Sequence, residues 1–308
     1  MSSAQPVHKA PKKSRAEAQM QTVMLIATAM QSRDADKLAA AYSHNARLTI
    51  YGGIGELHGS RGVAAEQQKY FDAFTDTKFG VSRVWERGST WAVEWAFSGT
   101  QAATFLGVPA KTPGAPVGVA GMSILWFDET GHVVKEHRYF DTMTIHDQLL
   151  GRASVRPPPA AIPDGPPETH VSKSTFDEQA QVDATKAIYA AIDARRESDY
   201  MALFADDAVL DNSSFAVKMT GAPAIKEHLA AVAKAFPDMQ HHSPTLFGAD
   251  GFVVNEWTLS GTHSGATNPK VELHGVDLLT WKNGKLETAS TYTSAKELLD
   301  QVAAPPKP

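Results

Sequence analysis

The sequence predicts an α+β chain of two tandem domains, each a cone-shaped barrel with N-terminal helices packed on a curved antiparallel sheet. The first observation is an internal repeat. Phe74-Thr75-Asp76 recurs as Phe236-Pro237-Asp238, and Glu94-Trp95 recurs as Glu256-Trp257, both 162 positions later. A period of this length indicates two complete domains rather than a solenoid of short units. The second observation is the order within each copy, helices before strands, which is typical of α+β folds.

Length and composition agree with two globular domains. The chain has 308 residues, which fits two domains of roughly 100–150 residues each. Its net charge of −5 gives no reason to expect nucleic-acid binding. No apolar run approaches the roughly 20 residues that span a bilayer, so we expect no membrane segment. The absence of cysteine excludes disulfides and thiolate ligands.

The N-terminal region is basic but has no apolar signal core behind its charges. We therefore expect a cytoplasmic protein, with an exported chain that has lost its leader as the alternative.

Proline-rich and polar segments predict the domain boundaries. Residues 1–15 and 303–308 are expected to be mobile tails. Residues 152–176 hold six prolines, which fix φ and remove amide donors, so this stretch is predicted to be a semi-rigid extended linker. The two domains are then residues 16–151 and 177–302.

The elements of the first copy follow from periodicity and capping signals. Apolar residues at helical spacing predict a helix over 16–32, and Asp34 is placed to cap a short second helix that ends at Tyr42. A short strand at 49–51 and a third helix at 59–74 follow. Four strands are then predicted, at 81–86, 91–98, 118–127 and 133–140. In the second copy, Asn283-Gly284 is typical of a tight hairpin.

Side chains alternate along the strand at 91–98. Trp91, Val93, Trp95 and Phe97 occupy one face, and Glu94 lies on the other. We expect Glu94 and its repeat Glu256 to lie on a polar face of the sheets. A sheet curled over helices leaves a conical hollow, which is a common place for a small ligand.

Both copies resemble the SnoaL-like polyketide cyclase branch of the nuclear transport factor 2-like (ketosteroid-isomerase-like) superfamily. The resemblance covers about residues 18–150 and 178–302. The motifs that carry it are Phe71 to Asp76, Glu94-Trp95, Ser98-Gly99-Thr100, Phe105 to Pro109, Tyr139-Phe140-Asp141 and Asp147-Gln148-Leu149 in copy one, and Phe204 to Ala208, Ala235 to Asp238 and Ser260 to His263 in copy two. The superfamily contains isomerases, dehydratases, cyclases, hydrolases and pure binding modules, so the resemblance implies the fold more narrowly than the activity.

The chain departs from that family pattern at the catalytic positions. The acid/base aspartate that the cyclases carry on the last strand falls at Arg138 in copy one and at Thr291 in copy two. The pocket aspartate of the ketosteroid isomerases corresponds to Asp277, whose counterpart in copy one is Ser123. The general-base aspartate of those isomerases would lie near Asp211 or Asn212.

Two groups of residues are the candidates for chemistry. Asp277 shares a strand face with Leu279 and Trp281, so burial is expected to raise its pKa and keep it protonated as a hydrogen-bond donor. The alternative is a carboxylate that a neighbouring donor satisfies or that opens onto solvent. Glu136 and Arg138 are expected on the inward face of the last strand, either as a charged ligand site or as a structural salt bridge. Asp141 would orient Arg138 or cap the segment that follows.

The resulting site assignment has two parts. The candidate catalytic residues are Asp277, Arg138 and Asp141. The candidate ligand-binding residues are Glu136, Phe140, Ser123, Phe127, Trp281, Asp211 and His263. No metal-ligand spacing and no cofactor motif is present, so neither a metal nor a cofactor is expected.

These residues suggest two functions from different classes. One is binding of a small, largely apolar molecule, with cofactor-free acid/base chemistry such as cyclisation, isomerisation or dehydration. The other is a non-catalytic ligand-binding or scaffold module. We expect the two sheets to pack on each other within one chain, as a monomeric pseudo-dimer. We also expect one copy to have the better-formed pocket, with the loop around Phe105 to Pro109 closing over that of copy one.

Overall fold

A computed structural model describes residues 14–152, 156–215, 218–266 and 270–303. The tails predicted at the two ends lie almost wholly outside these residues. Within them, two α+β units follow one another and repeat the same order of elements. The predicted α+β class and the two tandem domains are confirmed, although the strands described form two open sheets and not closed barrels.

The first domain begins with helices and continues into a sheet. Its elements are α1 (Arg15–Ser32), α2 (Ala35–Ala39), β1 (Tyr42–Ile50), β2 (Gly55–His58), α3 (Gly59–Ala73), β3 (Phe74–Arg87), β4 (Thr90–Gln101), β5 (Pro116–Phe127), β6 (Val133–Tyr139) and α4 (Thr142–Leu150). Helix α1 starts at a capping box, in which Ser14 and Glu17 each accept a hydrogen bond from the other's backbone N–H. Asp34 caps α2 by accepting from the N–H of Lys37 at 2.8 Å.

The second domain repeats these elements after a linker strand. They are β7 (Glu168–Val171) in the linker, then α5 (Phe176–Asp193), α6 (Glu197–Met201), β8 (Phe204–Asn212), β9 (Met219–Thr220), α7 (Ala222–Ala235), β10 (Gln240–Ala249), β11 (Phe252–Thr262), β12 (Lys270–Lys282), β13 (Lys285–Thr293) and α8 (Ala295–Ala303). Helix α5 opens with the same capping box as α1, made by Thr175 and Glu178.

The two sheets have the same strand order. The first runs β2-β1-β6-β5-β4-β3-β7, and the second runs β9-β8-β13-β12-β11-β10. Their long strands pair antiparallel, but β1 runs parallel to β6 and β8 runs parallel to β13. Strand β1 is also longer than the three residues predicted for it. Each sheet contains both parallel and antiparallel pairs near that edge.

The proline-rich linker is structured against the first domain. Its strand β7 pairs in parallel with β3, from Arg83 opposite Glu168 to Glu86 opposite Val171. Earlier in the linker, the carbonyl of Pro163 lies so close to Gly80 that a Cβ added there would be 1.9 Å from its oxygen. The linker thus covers the β3 edge of the first sheet.

The outer faces of the two sheets pack on each other in a shared apolar layer. Its buried members are Trp85, Ala92, Met122, Ile124 and Tyr139 from the first domain and Phe247, Ala249, Val254, Val276, Leu278 and Tyr292 from the second. Burying such faces together removes apolar surface from water, which stabilises the packed domains by about 25 cal/mol for each Å² buried.

Two glutamates cross this layer reciprocally. The hydroxyl of Tyr292 donates to Glu94 at 2.5 Å, and the hydroxyl of Tyr139 donates to Glu256 at 2.8 Å. These are the same pair of repeat positions used in both directions, as in a two-fold symmetric dimer. The expectation of a polar face is therefore wrong: this face is a buried interface, and each glutamate accepts a hydrogen bond from a tyrosine of the other domain.

Candidate functional site

The first domain encloses a mostly apolar cavity between its helices and the inner face of its sheet. The empty space between the side chains is about 700 Å³, part of which is open to solvent, and the centre of a water molecule can move through about 60 Å³ of it. The apolar lining includes Val23 and Ile26 from α1, Phe79 from β3, Trp95 from β4 and Phe140 after β6. This is the conical hollow that the sequence predicted, and its lining suits a small ligand.

One polar cluster faces this apolar space. Arg138 donates to Glu136 from Nε at 2.8 Å and from Nη2 at 3.3 Å. The hydroxyls of Tyr42 and Ser123 also donate to Glu136, at 2.5 and 2.8 Å, and the indole N–H of Trp95 donates to Ser123 at 3.1 Å. All five residues line the cavity.

The cluster keeps a buried charge pair ionised. Burial alone would raise the pKa of Glu136, but the charge and hydrogen bonds of Arg138, with those of Tyr42 and Ser123, hold its pKa below the usual 4.5. Burial would lower the pKa of Arg138, but Glu136 raises it overall, so the guanidinium stays charged. Among the described residues, Nη1 of Arg138 has no hydrogen-bond partner, which leaves one donor group for a ligand.

The extra loop of the first copy packs beside the cavity. Phe105 and Val108 form a small antiparallel bridge. The ring of Phe105 lies 4.9 Å from the rings of both Tyr70 and Phe74. Tyr70 lines the cavity, and burial raises the pKa of its phenol, so the hydroxyl stays protonated.

The second cone has a different polar centre. Asp277 is buried and accepts a short hydrogen bond from Tyr189 and one of 2.7 Å from Thr291. Burial raises the pKa of Asp277 from 3.8, even though Tyr189 and Thr291 act in the opposite direction. Asn255 is opposite Asp277 in the sheet register and close enough to Tyr189 to influence its pKa, which burial raises. Neither Oδ1 nor Nδ2 of the Asn255 side chain has a hydrogen-bond partner among the described residues.

The repeat explains why the two cones differ. Tyr189 stands where the first copy has Ala27, Asp277 where it has Ser123, and Thr291 where it has Arg138. In the second cone the large side chain of Tyr189 reaches Asp277. In the first cone the small side chain of Ala27 leaves the equivalent space open. Asp277 is therefore buried and hydrogen-bonded to neighbouring donors, and it does not open onto solvent.

Asp141 lies outside the lining of the first cavity and is used as a helix cap. It accepts from the N–H groups of Met143 and Thr144 at the start of α4, at 3.2 and 3.0 Å. It also accepts from the N–H of Ala295 at the start of α8, at 3.0 Å, and from the hydroxyl of Ser294 at 3.2 Å. One carboxylate thus caps a helix of each domain, which is the capping role predicted as the alternative to orienting Arg138.

Four other candidates are also placed away from the first cavity lining. Phe127 packs on Trp91 in the core, with ring centroids 5.5 Å apart. Trp281 is buried in the core of the second domain. Asp211 pairs with Arg156 of the linker at 2.5 Å and with Lys218 at 2.9 Å. His263 packs edge-on against Phe236 at 5.1 Å.

Sequence reasoning missed the partners of the candidate residues. Tyr42 and Trp95 complete the Glu136 cluster, and Tyr189 completes that of Asp277. Strand alternation indicated which face each candidate occupies, but it could not indicate which helix or strand lies opposite. The one available signal was the difference at repeat positions, where a tyrosine in one copy replaces an alanine in the other.

Neither a metal site nor a spanning helix is found in the parts of the chain that the structure describes. No group of three or more His, Asp or Glu side chains there comes together as metal ligands would. No helix there is long and apolar enough to cross a membrane.

Two family models match the chain, one for each domain. Residues 20–149 match the SnoaL-like polyketide cyclase family, and residues 185–288 match a SnoaL-like domain family. No curated protein matches the chain.

Similar solved structures each cover one domain's length of this chain. A protein with a ketosteroid isomerase-like fold from Catenulispora acidiphila DSM 44928, in complex with trimethylamine, is 20% identical over 40% of this chain and 93% of its own, with a TM-score of 0.37. An LEH-like epoxide hydrolase from M. tuberculosis is 13% identical over 41% and 91%, with a TM-score of 0.36. An NTF2-like protein from Burkholderia xenovorans LB400 is 17% identical over 42% and 99%, with a TM-score of 0.36.

Proposed function

Because the chain belongs to the SnoaL-like family through two tandem domains, we propose that its first domain binds a small, largely apolar ketone in the conical cavity. One observation carries this proposal. A mostly apolar hollow contains one buried ion pair, Arg138 and Glu136, and one edge of the guanidinium has no partner among the described residues. A carbonyl oxygen placed there would accept a charge-assisted hydrogen bond.

The same arrangement supports cofactor-free chemistry on the bound ketone. When a proton leaves the carbon next to a carbonyl, negative charge develops on the carbonyl oxygen, and a fixed Arg138 would stabilise it in a site of low dielectric. Glu136 is ionised and lines the cavity, so it is the proton acceptor in this scheme. Cyclisation, isomerisation and dehydration of ketones all begin with this step.

A second candidate function is binding without turnover, and a specific observation favours it. Glu136 already accepts hydrogen bonds from Arg138, Tyr42 and Ser123, and a carboxylate stabilised in this way is a weak base. In this case the ion pair fixes the orientation of the ligand, and no proton moves.

One experiment tests both candidates with 1-tetralone as the probe. Its affinity is measured by calorimetry, and exchange of its α-protons in D₂O is followed by NMR. We expect Arg138→Met to weaken binding at least about tenfold, since a charge-assisted hydrogen bond is lost. Arg152→Met, the same change at an exposed arginine outside the cavity lining, should leave the affinity unchanged.

The outcomes separate the two functions. Exchange that the protein accelerates and that Arg138→Met abolishes supports catalysis. Binding without accelerated exchange supports the binding module. Failure of 1-tetralone and other cyclic ketones to bind, or equal binding by Arg138→Met, would contradict the proposed cavity function altogether.

A further inference from the structure

A second open space lies between the two domains, away from the ion pair of the first cavity. Arg87, Thr90 and Trp126 of the first domain form one wall, and helix α5 and strand β10 of the second domain form the other. The groove is open to solvent, and the centre of a water molecule can move through about 710 Å³ of it. Both domains are needed to build the groove.

The internal repeat explains why this groove is open on one side of the molecule only. The first domain has an equivalent position along α1 and β3, and the linker occupies it. Pro163 packs on Gly80 there, and β7 pairs with β3. The repeat counterpart of Gly80 is His242, which lines the open groove. There is one linker for two such positions, so the second is left uncovered by the residues that the structure describes.

The charged side chains of the groove favour an anion. Arg87 has no carboxylate partner among the described residues; its Nη1 donates to the carbonyl of Leu246 at 3.2 Å. Within the described part of the chain Lys186 pairs with Asp183 alone, at 3.1 Å, and both side chains are about 60% exposed. An exposed pair of this kind contributes little and leaves the ammonium available.

The acidic side chain of the groove is already engaged. Asp193 accepts a hydrogen bond from the backbone N–H of His241 at 2.9 Å, and its other oxygen lies 2.6 Å from Nδ1 of the His241 ring. Aromatic surface completes the walls, because Trp126 and Tyr189 both line the groove. Lys135 lies 4.3 Å above the ring of Trp126 and adds a further positive charge beside it.

We propose that this interdomain groove is a second ligand site, which takes a planar organic anion. The anionic group binds Arg87 and Lys186, and the ring of the ligand packs on Trp126. The site is separate from the ketone cavity and does not depend on it.

The test uses the full-length chain and 2-naphthoate as the probe. We expect the double variant Arg87→Gln/Lys186→Gln to bind 2-naphthoate about tenfold more weakly than the wild type, because two charge-assisted contacts are lost. The neutral analogue naphthalen-2-ylmethanol should bind the wild type no more tightly than 2-naphthoate binds the double variant. A matched control, Arg47→Gln/Lys69→Gln, removes two exposed cations outside the groove and should keep the wild-type affinity.

NMR of the tryptophan indole N–H groups locates the probe. Titration should shift the signal of Trp126 and leave that of Trp95, in the first cavity, unchanged. Three results would each overturn the proposal: no binding of 2-naphthoate in the millimolar range, equal affinity of the groove variant and the wild type, or a shift at Trp95 without one at Trp126. Loss of ketone binding in Arg138→Met has no bearing on these results.

Discussion

The buried carboxylates of the two cones are stabilised in opposite ways. Glu136 has a cation beside it and stays ionised, whereas burial raises the pKa of Asp277, which accepts hydrogen bonds from the hydroxyls of Tyr189 and Thr291. A buried ion pair adds little to stability compared with apolar residues of the same shape, but removing one partner leaves the other charge uncompensated.

The first prediction follows from that asymmetry at Glu136. Arg138→Met should lower the free energy of unfolding by about 3–5 kcal/mol at neutral pH, because a buried carboxylate loses its counterion. The double variant Glu136→Gln/Arg138→Met should recover most of this loss, and urea denaturation measures both. Equal losses in the single and double variants would show that the cost comes from packing and not from charge.

The second prediction concerns Asp277 and pH. A carboxyl whose pKa is raised by folding stabilises the native state fully below its unfolded pKa, about 3.8 here, and loses that contribution as pH rises through the folded pKa. Asp277→Asn removes this loss. The melting temperature of Asp277→Asn minus that of the wild type should therefore be higher at pH 7 than at pH 3.5.

A matched variant gives the opposite sign. Arg156 and Lys218 lower the pKa of Asp211 against the effect of burial, so its contribution is present above about pH 3.8 and is lost on acidification. Asp211→Asn should lose more stability at pH 7 than at pH 3.5. The same sign of pH dependence in both variants would contradict these assignments.

At the scale of elements, the strands of the interface carry two tyrosine–glutamate pairs whose surroundings differ. Glu94 also accepts two hydrogen bonds of 2.8 Å from Arg83 and one of 2.6 Å from Ser82. Glu256 has His137 at 2.5 Å, and its Oε2 has no hydrogen-bond partner among the described residues.

The third prediction compares the two pairs. Tyr139→Phe should cost more stability than Tyr292→Phe, roughly 2 against 1 kcal/mol, because Glu256 has fewer partners left once the phenol is removed. The two variants make the same chemical change at equivalent repeat positions, so each serves as the control for the other. Chemical denaturation with urea would measure the difference, and a larger loss in Tyr292→Phe would contradict the assignment.

The linker segment on β3 gives the fourth prediction. Gly80→Ala should destabilise the protein by about 1–3 kcal/mol or more, because its Cβ would overlap the backbone carbonyl of Pro163. Gly62→Ala is the control. It lies inside helix α3 with nothing within 4 Å of an added Cβ, so alanine there should stabilise the helix by about 0.5–1 kcal/mol. Thermal unfolding of the two variants should therefore shift in opposite directions.

Sequence patterns predicted the helices and strands better than they predicted which segments pack against them. The repeat and its order of helices and strands gave the fold, and alternation placed Glu136, Arg138 and Phe140 on one inward face. The same alternation put Glu94 and Glu256 outward but could not show that the outward faces of the two copies meet. It also missed β7, because four residues directly after the prolines of the linker carry no periodic signal and pair only when β3 is present.

At the scale of the whole molecule, the two domains meet as the subunits of a two-fold dimer do, but in one chain. Asp141 and its repeat counterpart Ser294 meet where α4 and α8 begin, and the carboxylate caps both helices. We expect light scattering to give the mass of one chain, 33.2 kDa. A stable mass of two or more chains would contradict this expectation.

The covalent link between the two halves has a thermodynamic consequence. Subunits of an obligate dimer separate on dilution, so their melting temperature falls with protein concentration. A short tether instead holds the partner at an effective concentration in the millimolar range, whatever the amount of protein present. The melting temperature of this chain should therefore stay constant over a thousandfold dilution. The two cones can then differ without weakening assembly, as they do where Tyr189 and Asp277 of the second occupy the repeat positions of Ala27 and Ser123 of the first.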